Sequence, residues 1–565
     1  MGDEGRARLL AGVTLAVARH LGVRLPDLAL LSAWGSPIEV AVPAAEASPW
    51  LVGAAGQALL DRDGRRRRGV FHTPPALVAP VVRWCLEGAR PARVCDPAVG
   101  GGAFLLGVAE ELAGGGEARA SVVRRLVGVD IDPVAAAATE AALCLWCGGE
   151  AVPDVSVADA LLRDEGEWGE GFDLVVTNPP FLGQLARETA RSRSASTSLL
   201  ERYGPAAGGY ADAATVFLLL GRSLVAPGGR VAMVLPRSFL SARSSGRARR
   251  RVLDGASLER LWLPDAGAFD ASVSVCVAVL REGGPRRGSL ARATGTPPVE
   301  LEASVVDAGA LAAAPTWSHL VFSGGGPPPC APVVAGLLGE GCAVSAGFRD
   351  EYYGLAPFVV DDPGGDTDDD CFAPLVTSGT IDPARSLWGR RPVRYLKRHW
   401  VAPRVDVAAL RAESGLGAWA TGQLVPKVLL ATQTRVLEAV VDDAGRWLPC
   451  TPVISVVPPP DRLWHAAAVL LSPVASAWAV RTYGGAGLSP GAIKLSAAQV
   501  RAIPLPVDGD AWARAAGEVR RASAVDDPVE RLDALLAAAA ASTEAYAVTD
   551  DGLVDWWAGR LPAHR

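Results

Sequence analysis

Lysine is almost missing from this 565-residue chain: Lys397, Lys427 and Lys494 are the only ones, so nearly all of its positive charge is arginine. That reads mainly as codon bias, although arginine's planar fork also suits phosphate and guanine contacts. An excess of basic charge is lacking too. The formal net charge is −6, so any nucleic-acid contact must gather its arginines locally. The nine cysteines are odd in number and scattered, which argues against a disulfide framework and for a reducing cytoplasm. Cys144 and Cys147 have metal or redox spacing, but they sit in an alanine-rich helical run with no second pair. They read as two buried helix thiols, and no metal is expected. Met1-Gly2-Asp3-Glu4 lacks the basic-then-apolar layout of a signal peptide. The longest apolar run, Ala466 to Val480, is cut by Ser472 and Pro473 and is too short to span a bilayer. A cytoplasmic protein without membrane contact is expected. Half of the residues are hydrophobic, yet much of that is alanine, so the core signal is weaker than the fraction suggests. The length accommodates two or three domains.

What is present centres on Phe172-Asp173-Leu174-Val175-Val176-Thr177-Asn178-Pro179-Pro180-Phe181. Leu174 to Thr177 reads as a short buried strand. It stops at Pro179-Pro180, because neither proline has an N–H for a ladder. Asn178 precedes a proline and is biased to an extended conformation, so its amide projects past the strand end. The Asn178 oxygen and nearby carbonyls then form a rigid set of acceptors beside the Phe181 ring. That set suits a planar amino group held by its two hydrogens. Alone, the stretch reads first as a strand ending in a Pro-Pro turn.

It is preceded by strands and helices in α/β rhythm. Arg65 to Pro75 leads into a helix over Ala76 to Leu86, with Pro75 in its first turn and Thr73 as its cap. Arg93-Val94-Cys95 reads as a strand entering Asp96-Pro97-Ala98-Val99-Gly100-Gly101-Gly102-Ala103-Phe104, then a helix. Three glycines at a strand-to-helix turn let a ligand approach the backbone closely. A dinucleotide site would want a third spaced glycine where Leu105 stands. Asp96 also suits a cationic amino-acid group and would repel a pyrophosphate. A second strand ends in Asp130-Ile131-Asp132-Pro133, with Asp132 also fit to cap the next helix; a third leads to Asp159.

In this order the motifs resemble gamma-class N6-adenine DNA methyltransferases. In that family Asn-Pro-Pro-Phe follows the fourth strand and Asp-Pro-x-x-Gly-x-Gly-x-Phe follows the first. Val99 and Gly101 replace residues that are more often Cys and Ser. The resemblance implies an α/β class I S-adenosylmethionine-dependent (Rossmann-like) catalytic domain and a C-terminal α+β target-recognition domain. S-adenosyl-L-methionine is the implied cofactor. Phe71 and Thr73 would hold its methionine end, with Asp96, Pro97, Gly100, Gly102 and Phe104 forming the glycine turn. Asp130 would take the ribose hydroxyls with Ile131 beside it, and Asp159 the adenine amine. Asn178, Pro179, Pro180 and Phe181 would be catalytic on an adenine flipped from the duplex, with Asn178 also binding the cofactor.

The boundaries expected are a helical cap over 1–60, a catalytic domain over 61–290, a Gly/Pro/Ala-rich joining region over 291–340 and target recognition over 341–565. Residues 183 to 209 lose apolar periodicity and read as a mobile loop. A basic run from Arg243 to Arg251 reads as a solvated face, or as the border of a DNA groove. In the last domain Arg390, Arg391, Arg394, Lys397, Arg398 and Trp400 mix basic and aromatic side chains suited to double-stranded DNA. A separately encoded restriction endonuclease or defence-system protein is the other implied partner.

Three rivals are weighed against this. Methyl transfer to RNA or protein glutamine uses a similar motif, but the basic-aromatic C-terminal region disfavours it. A fused nuclease needs an acidic residue two positions before a lysine, where Tyr395, Val425 and Ala492 stand instead. A non-catalytic specificity protein would not need every cofactor carboxylate. Cytosine-C5 chemistry would place a Pro-Cys after the fourth strand, and Pro329-Cys330 and Pro449-Cys450 lie elsewhere.

Overall fold

The computed structural model describes residues 2–59, 73–181, 192–208, 211–265, 267–268, 274–321, 326–328, 330–347, 349–362, 371–413, 415–484, 492–549 and 552–562. They form two compact units, Met1–Trp317 and Ser318–Arg565.

The first unit is built on nine strands: β1 (Val94–Asp96), β2 (Leu126–Asp130), β3 (Asp154–Val157), β4 (Phe172–Thr177), β5 (Val225–Pro236), β6 (Ala256–Leu263), β7 (Val275–Glu282), β8 (Arg287–Thr294) and β9 (Val299–Asp307). Their order is β3-β2-β1-β4-β5-β7-β6-β8-β9. The first five pair in parallel, and β7 adds antiparallel to β5. Val94, Cys95, Val175 and Val176 are fully buried, as unbroken apolar strands of a parallel sheet must be when both faces are covered.

Three helices matter for the site: α1 (Asp3–Leu21), α2 (Pro49–Ala58) and α3 (Pro75–Leu86). Two more follow β1 and β2, namely α4 (Ala103–Gly114) and α5 (Pro133–Trp146). In α5, 13 of 14 residues are buried. A helix that is apolar all round needs cover on every side, and α1 and α2 supply it on the side away from the sheet. The alanine that weakened the core signal is what allows this: a Cβ on Gly56 of α2 would run into Ala138 of α5. The N-terminal helices thus share one core with the sheet.

Three expectations are corrected. The sheet continues past 290, since β8 and β9 occupy 287–307; β8 pairs in parallel with β6, and its buried Leu290 and Ala293 hold it in place. The stretch from 192 onward is a helix, Arg193–Tyr203, capped by the Ser192 hydroxyl, while 182–191 and Tyr210 lie outside the described residues. The basic run is not uniformly solvated: Arg249 is buried and donates to the carbonyls of Phe239, Ala242 and Pro315. The helix carrying Arg247, Arg250 and Arg251 leads to the start of β6, where Ala256 pairs with Glu282. That is the far end of the sheet from Asn178.

The second unit is α+β. One four-stranded sheet orders 343–346, 454–457, 427–430 and 439–442, and another orders 359–361, 403–406, 372–376 and 448–449. Its long C-terminal helices are Asp510–Ala524 and Pro528–Ala545, the latter capped by the Asp527 carboxylate. Among the described residues no single helix is long and apolar enough to cross a membrane; Pro460–Leu470 and Pro473–Tyr483 pass only as a pair bent by 62°. Both contribute buried residues to this unit's core.

Candidate functional site

Strand β1 lies between β2 and β4, and chain order runs outward from it in both directions. That is the switch point at which open α/β sheets bind ligands, beyond the carboxyl ends of their strands. Cys95 is level with Val127 and with Val175, and Asp130 with Val157. Asp96, Asp130, Asp159 and Asn178 therefore leave the sheet along one edge.

Asp96 ends β1 almost completely buried, with its carboxylate accepting the Ala98 N–H at 3.1 Å. Burial pushes its pKa up to about 7, partly offset by the Thr177 hydroxyl and the Ala98 amide. The turn that follows is left-handed at Gly100 (φ 55°) and Gly102 (φ 78°), a region open to glycine at no steric cost. Pro97 and Phe104 are buried, and Phe104 packs into the core, so it supports the turn from beneath.

Gly101 has a different reason to be glycine. A Cβ there would fall on the backbone of Gly53 in α2, and a Cβ on Gly53 would strike the Gly101 carbonyl. The chain's own helix fills the space that the expectation left to a ligand. Gly101→Ser, the residue more usual in the resembled motif, is therefore expected to destabilise the first unit by about 1–3 kcal/mol through overpacking. Chemical denaturation of the two proteins checks this.

Asp130, half-buried at the end of β2, accepts the Gly100 N–H and the Asp132 N–H, each at 2.8 Å. Burial raises its pKa to about 6. A carboxylate has further lone pairs, so both hydroxyls of a ribose can still be accepted. Ile131 beside it is 67% exposed, an apolar side chain standing free at a polar edge. Asp132 caps α5 through the Val134 N–H and is ion-paired with Arg6 at 2.7 Å. Asp159, half-buried, accepts the Leu161 N–H at 3.0 Å.

Asn178 follows β4, and its Nδ2 donates to the Thr73 hydroxyl at 3.0 Å. Its Oδ1 is buried and has no hydrogen-bond partner among the described residues. A buried acceptor without a donor is costly enough that a native site usually supplies one from a ligand or water. Thr73 is not the helix cap expected of it: Pro74 holds that place, and Thr73 sets the Asn178 amide. Pro179 is buried; Pro180 and Phe181 are half-buried, with Phe181 packed on the edge of the core. Phe71 lies outside the described residues.

In the second unit, Val393–Tyr395 and Arg398–Trp400 form an antiparallel ribbon that turns at Leu396 and Lys397, both at positive φ. Its inner face is Val393, Tyr395 and Trp400, all buried. Trp400 is thus corrected from a DNA contact to a core residue, its indole N–H donating to the Tyr395 carbonyl at 3.1 Å. Tyr395 itself donates to the Tyr352 carbonyl. Arg394 stands opposite His399 on the outer face, and Arg398 lies over the Trp400 ring at 5.0 Å. Arg394, Lys397, Arg398 and His399 are exposed. Arg390 pairs with Asp526 at 3.2 Å, and Arg391 with Asp382 at 3.6 Å.

Sequence reasoning missed Arg6, Gly53 and Gln57, which reach the glycine turn or its neighbours from the N-terminal helices. Nothing in their local pattern distinguishes them from ordinary helix residues. Among the described residues no three His, Cys, Asp or Glu side chains gather as a metal site.

This arrangement agrees with what the chain resembles. The structure of the Type IIL restriction-modification enzyme MmeI in complex with DNA matches with a TM-score of 0.63 at 13% identity, over 97% of this chain and 89% of that one. A DrdV–DNA complex matches with a TM-score of 0.51 at 12% identity, over 85% of this chain and 60% of that one. At such identities the likeness is one of fold, an α/β domain followed by a C-terminal domain. The family model for N-6 DNA methylases matches residues 60–291. Over those residues the chain is similar to N-6 DNA methylases, and the edge occupied by Asp96, Asp130 and Asn178 lies within them.

Proposed function

We propose that this chain transfers the methyl group of S-adenosyl-L-methionine to the N6 amino group of adenine at specific sites in double-stranded DNA, as the modification enzyme of a restriction-modification or defence system. The observation that carries the reading is the buried Oδ1 of Asn178, unpartnered among the described residues, on the same edge as the Asp96 and Asp130 carboxylates. The donor set fits the cofactor. Asp96 is an anion placed for an ammonium, Asp130 an acceptor placed for ribose hydroxyls, and Ile131 an apolar face placed for a purine. When bound, S-adenosylmethionine supplies a methyl group on a sulfonium, already a strong donor.

The residues contribute alignment and electrostatics. The adenine amine is a poor nucleophile because its lone pair is conjugated into the ring. Asn178 Oδ1 and the Pro179 carbonyl accept its two hydrogens and turn the lone pair out of the ring plane. Thr73 holds the Asn178 amide in that orientation. Phe181 stacks on the base once it has left the duplex. A tritium-transfer assay offering DNA, RNA and protein tests the substrate class, and label appearing only in RNA or protein would refute the reading.

Burial of Asp96 predicts a pH response. Its pKa, about 7 rather than the usual 3.8, means that protonation below neutrality removes the charge an ammonium needs. Affinity for S-adenosylhomocysteine should fall by up to about tenfold per pH unit on the acid side of that value. The empty fold should respond in the opposite sense. A raised carboxyl pKa favours the folded state when protonated, so its contribution is lost as pH rises from 3.8 through about 7. Calorimetric titration and thermal melts across this range check both signs.

The ribbon at 393–400 would contact DNA, since a two-stranded ribbon fits the major groove. Lys397→Ala should weaken binding evenly across sequences and lower the salt slope by about 1. Arg394→Ala should instead relax discrimination at one base, by about 1–3 kcal/mol. Binding to variant duplexes at several salt concentrations separates the two.

A further inference from the structure

The glycine turn and the β2 carboxylate are held from the side opposite the sheet by the first sixty residues. Arg6 on α1 is 2% exposed. One arm of its guanidinium donates to Asp3 at 2.8 Å and the other to Asp132 at 2.7 Å. The other oxygen of Asp132 accepts the Val134 N–H at 3.0 Å, which fixes the start of α5. The backbone N–H of the same Asp132 donates to Asp130 at 2.8 Å, and Asp130's second oxygen accepts the Gly100 N–H at 2.8 Å. The Gly100 carbonyl in turn accepts the Thr139 hydroxyl of α5 at 2.8 Å. A continuous set of buried or half-buried bonds therefore runs from Arg6 to the carboxylate and the turn. Helix α2 closes the same region through the Gly53–Gly101 contact, with Gln57 against Gly100.

We propose that Arg6 is a positioning residue for the nucleoside half of the cofactor, and that the N-terminal helices are part of the cofactor site. This rests on the functional reading above. Arg6 touches no substrate atom. Its ion pair holds the 130–132 turn so that Asp130 presents its free lone pairs, and Ile131 its exposed face, at the sheet edge. Loss of the pair takes the Arg6 guanidinium away from the buried Asp132 carboxylate, and the turn must rearrange or take up water. The effect should fall on ribose recognition and leave the Asn178 end of the site unchanged.

Full-length wild type and R6M are titrated calorimetrically with S-adenosylhomocysteine and with its 2′-deoxy analogue. R6M is expected to bind the parent ligand about tenfold more weakly than wild type. Removing the 2′-hydroxyl should weaken wild type clearly and R6M much less, because in R6M the hydroxyl has already lost its partner. A general loss of fold would weaken both ligands by the same factor, and that result overturns the proposal, as does unchanged affinity in R6M. Failure of wild type to bind S-adenosylhomocysteine would refute the functional reading itself. Should R6M not fold, R6K carries the same cycle, keeping the charge but not the two-armed bridge, with an expected loss of about threefold. Equal factors for the two ligands in R6K overturn the proposal in the same way.

Discussion

Asn178→Ala is expected to lower methyl transfer by on the order of 10²–10³-fold, the scale for losing one preorganised polar group at the reacting centre. Affinity for S-adenosylhomocysteine should stay within about threefold of wild type, since truncation at Cβ removes no charge. The basis is the division of labour in the amide. Nδ2 is held by the Thr73 hydroxyl, and Oδ1 is left buried and unpartnered among the described residues. Truncation removes the acceptor together with the group that orients it. Thr73→Val is a milder companion, since it leaves Oδ1 present but unanchored, and its loss should be smaller. Single-turnover methylation of an adenine-containing duplex, read beside calorimetric binding, checks both. Near-normal turnover in Asn178→Ala would remove the residue from the mechanism.

Lys427→Met should destabilise the second unit by about 3–5 kcal/mol, the scale for breaking a buried ion pair by removing one partner. Lys427 is fully buried, and its Nζ lies 2.5 Å from Asp442 on the neighbouring strand of the 427–442 hairpin. Asp442 also accepts the N–H groups of Arg446 and Trp447, tying that hairpin to the loop after it. Methionine fills most of the volume, so the effect isolates the carboxylate stranded in the core rather than a cavity. Denaturation should show the second unit melting early while S-adenosylhomocysteine binding by the first persists. The double variant Lys427→Met with Asp442→Leu should recover much of the loss, because an apolar pair replaces a buried charge without its partner.

Much of the candidate edge was legible in the residues. Apolar runs ending in Asp96, Asp130 and Asn178 mark strands whose carboxyl ends carry the polar groups, and period and length place each strand without reference to its neighbours. The basic and aromatic mix over 393–400 marks neither the ribbon nor which face of it is buried. Tyr395 and Trp400 are as suited to stacking on a base as to packing on Tyr352, and only the fold assigns them to the core. The joining region failed as an expectation for a related reason. Gly, Pro and Ala over 291–340 look like a linker in composition, yet the segment that carries β8 and β9 pairs with the edge of an existing sheet, which a composition count does not register.

Local sequence was enough to order the first five strands and their turns, and to pick out the carboxylates and the amide at the sheet edge together with the chemistry they suit. These are local matters, settled within a few residues by backbone preference and side-chain type. Folding in three dimensions is what makes Gly101 a glycine because Gly53 lies on it, gives Thr73 to Asn178 and brings Arg6 to Asp132. Those contacts join residues some 50 to 130 positions apart. Their partners are chosen by how helices close on a shared core, and no local pattern carries that information.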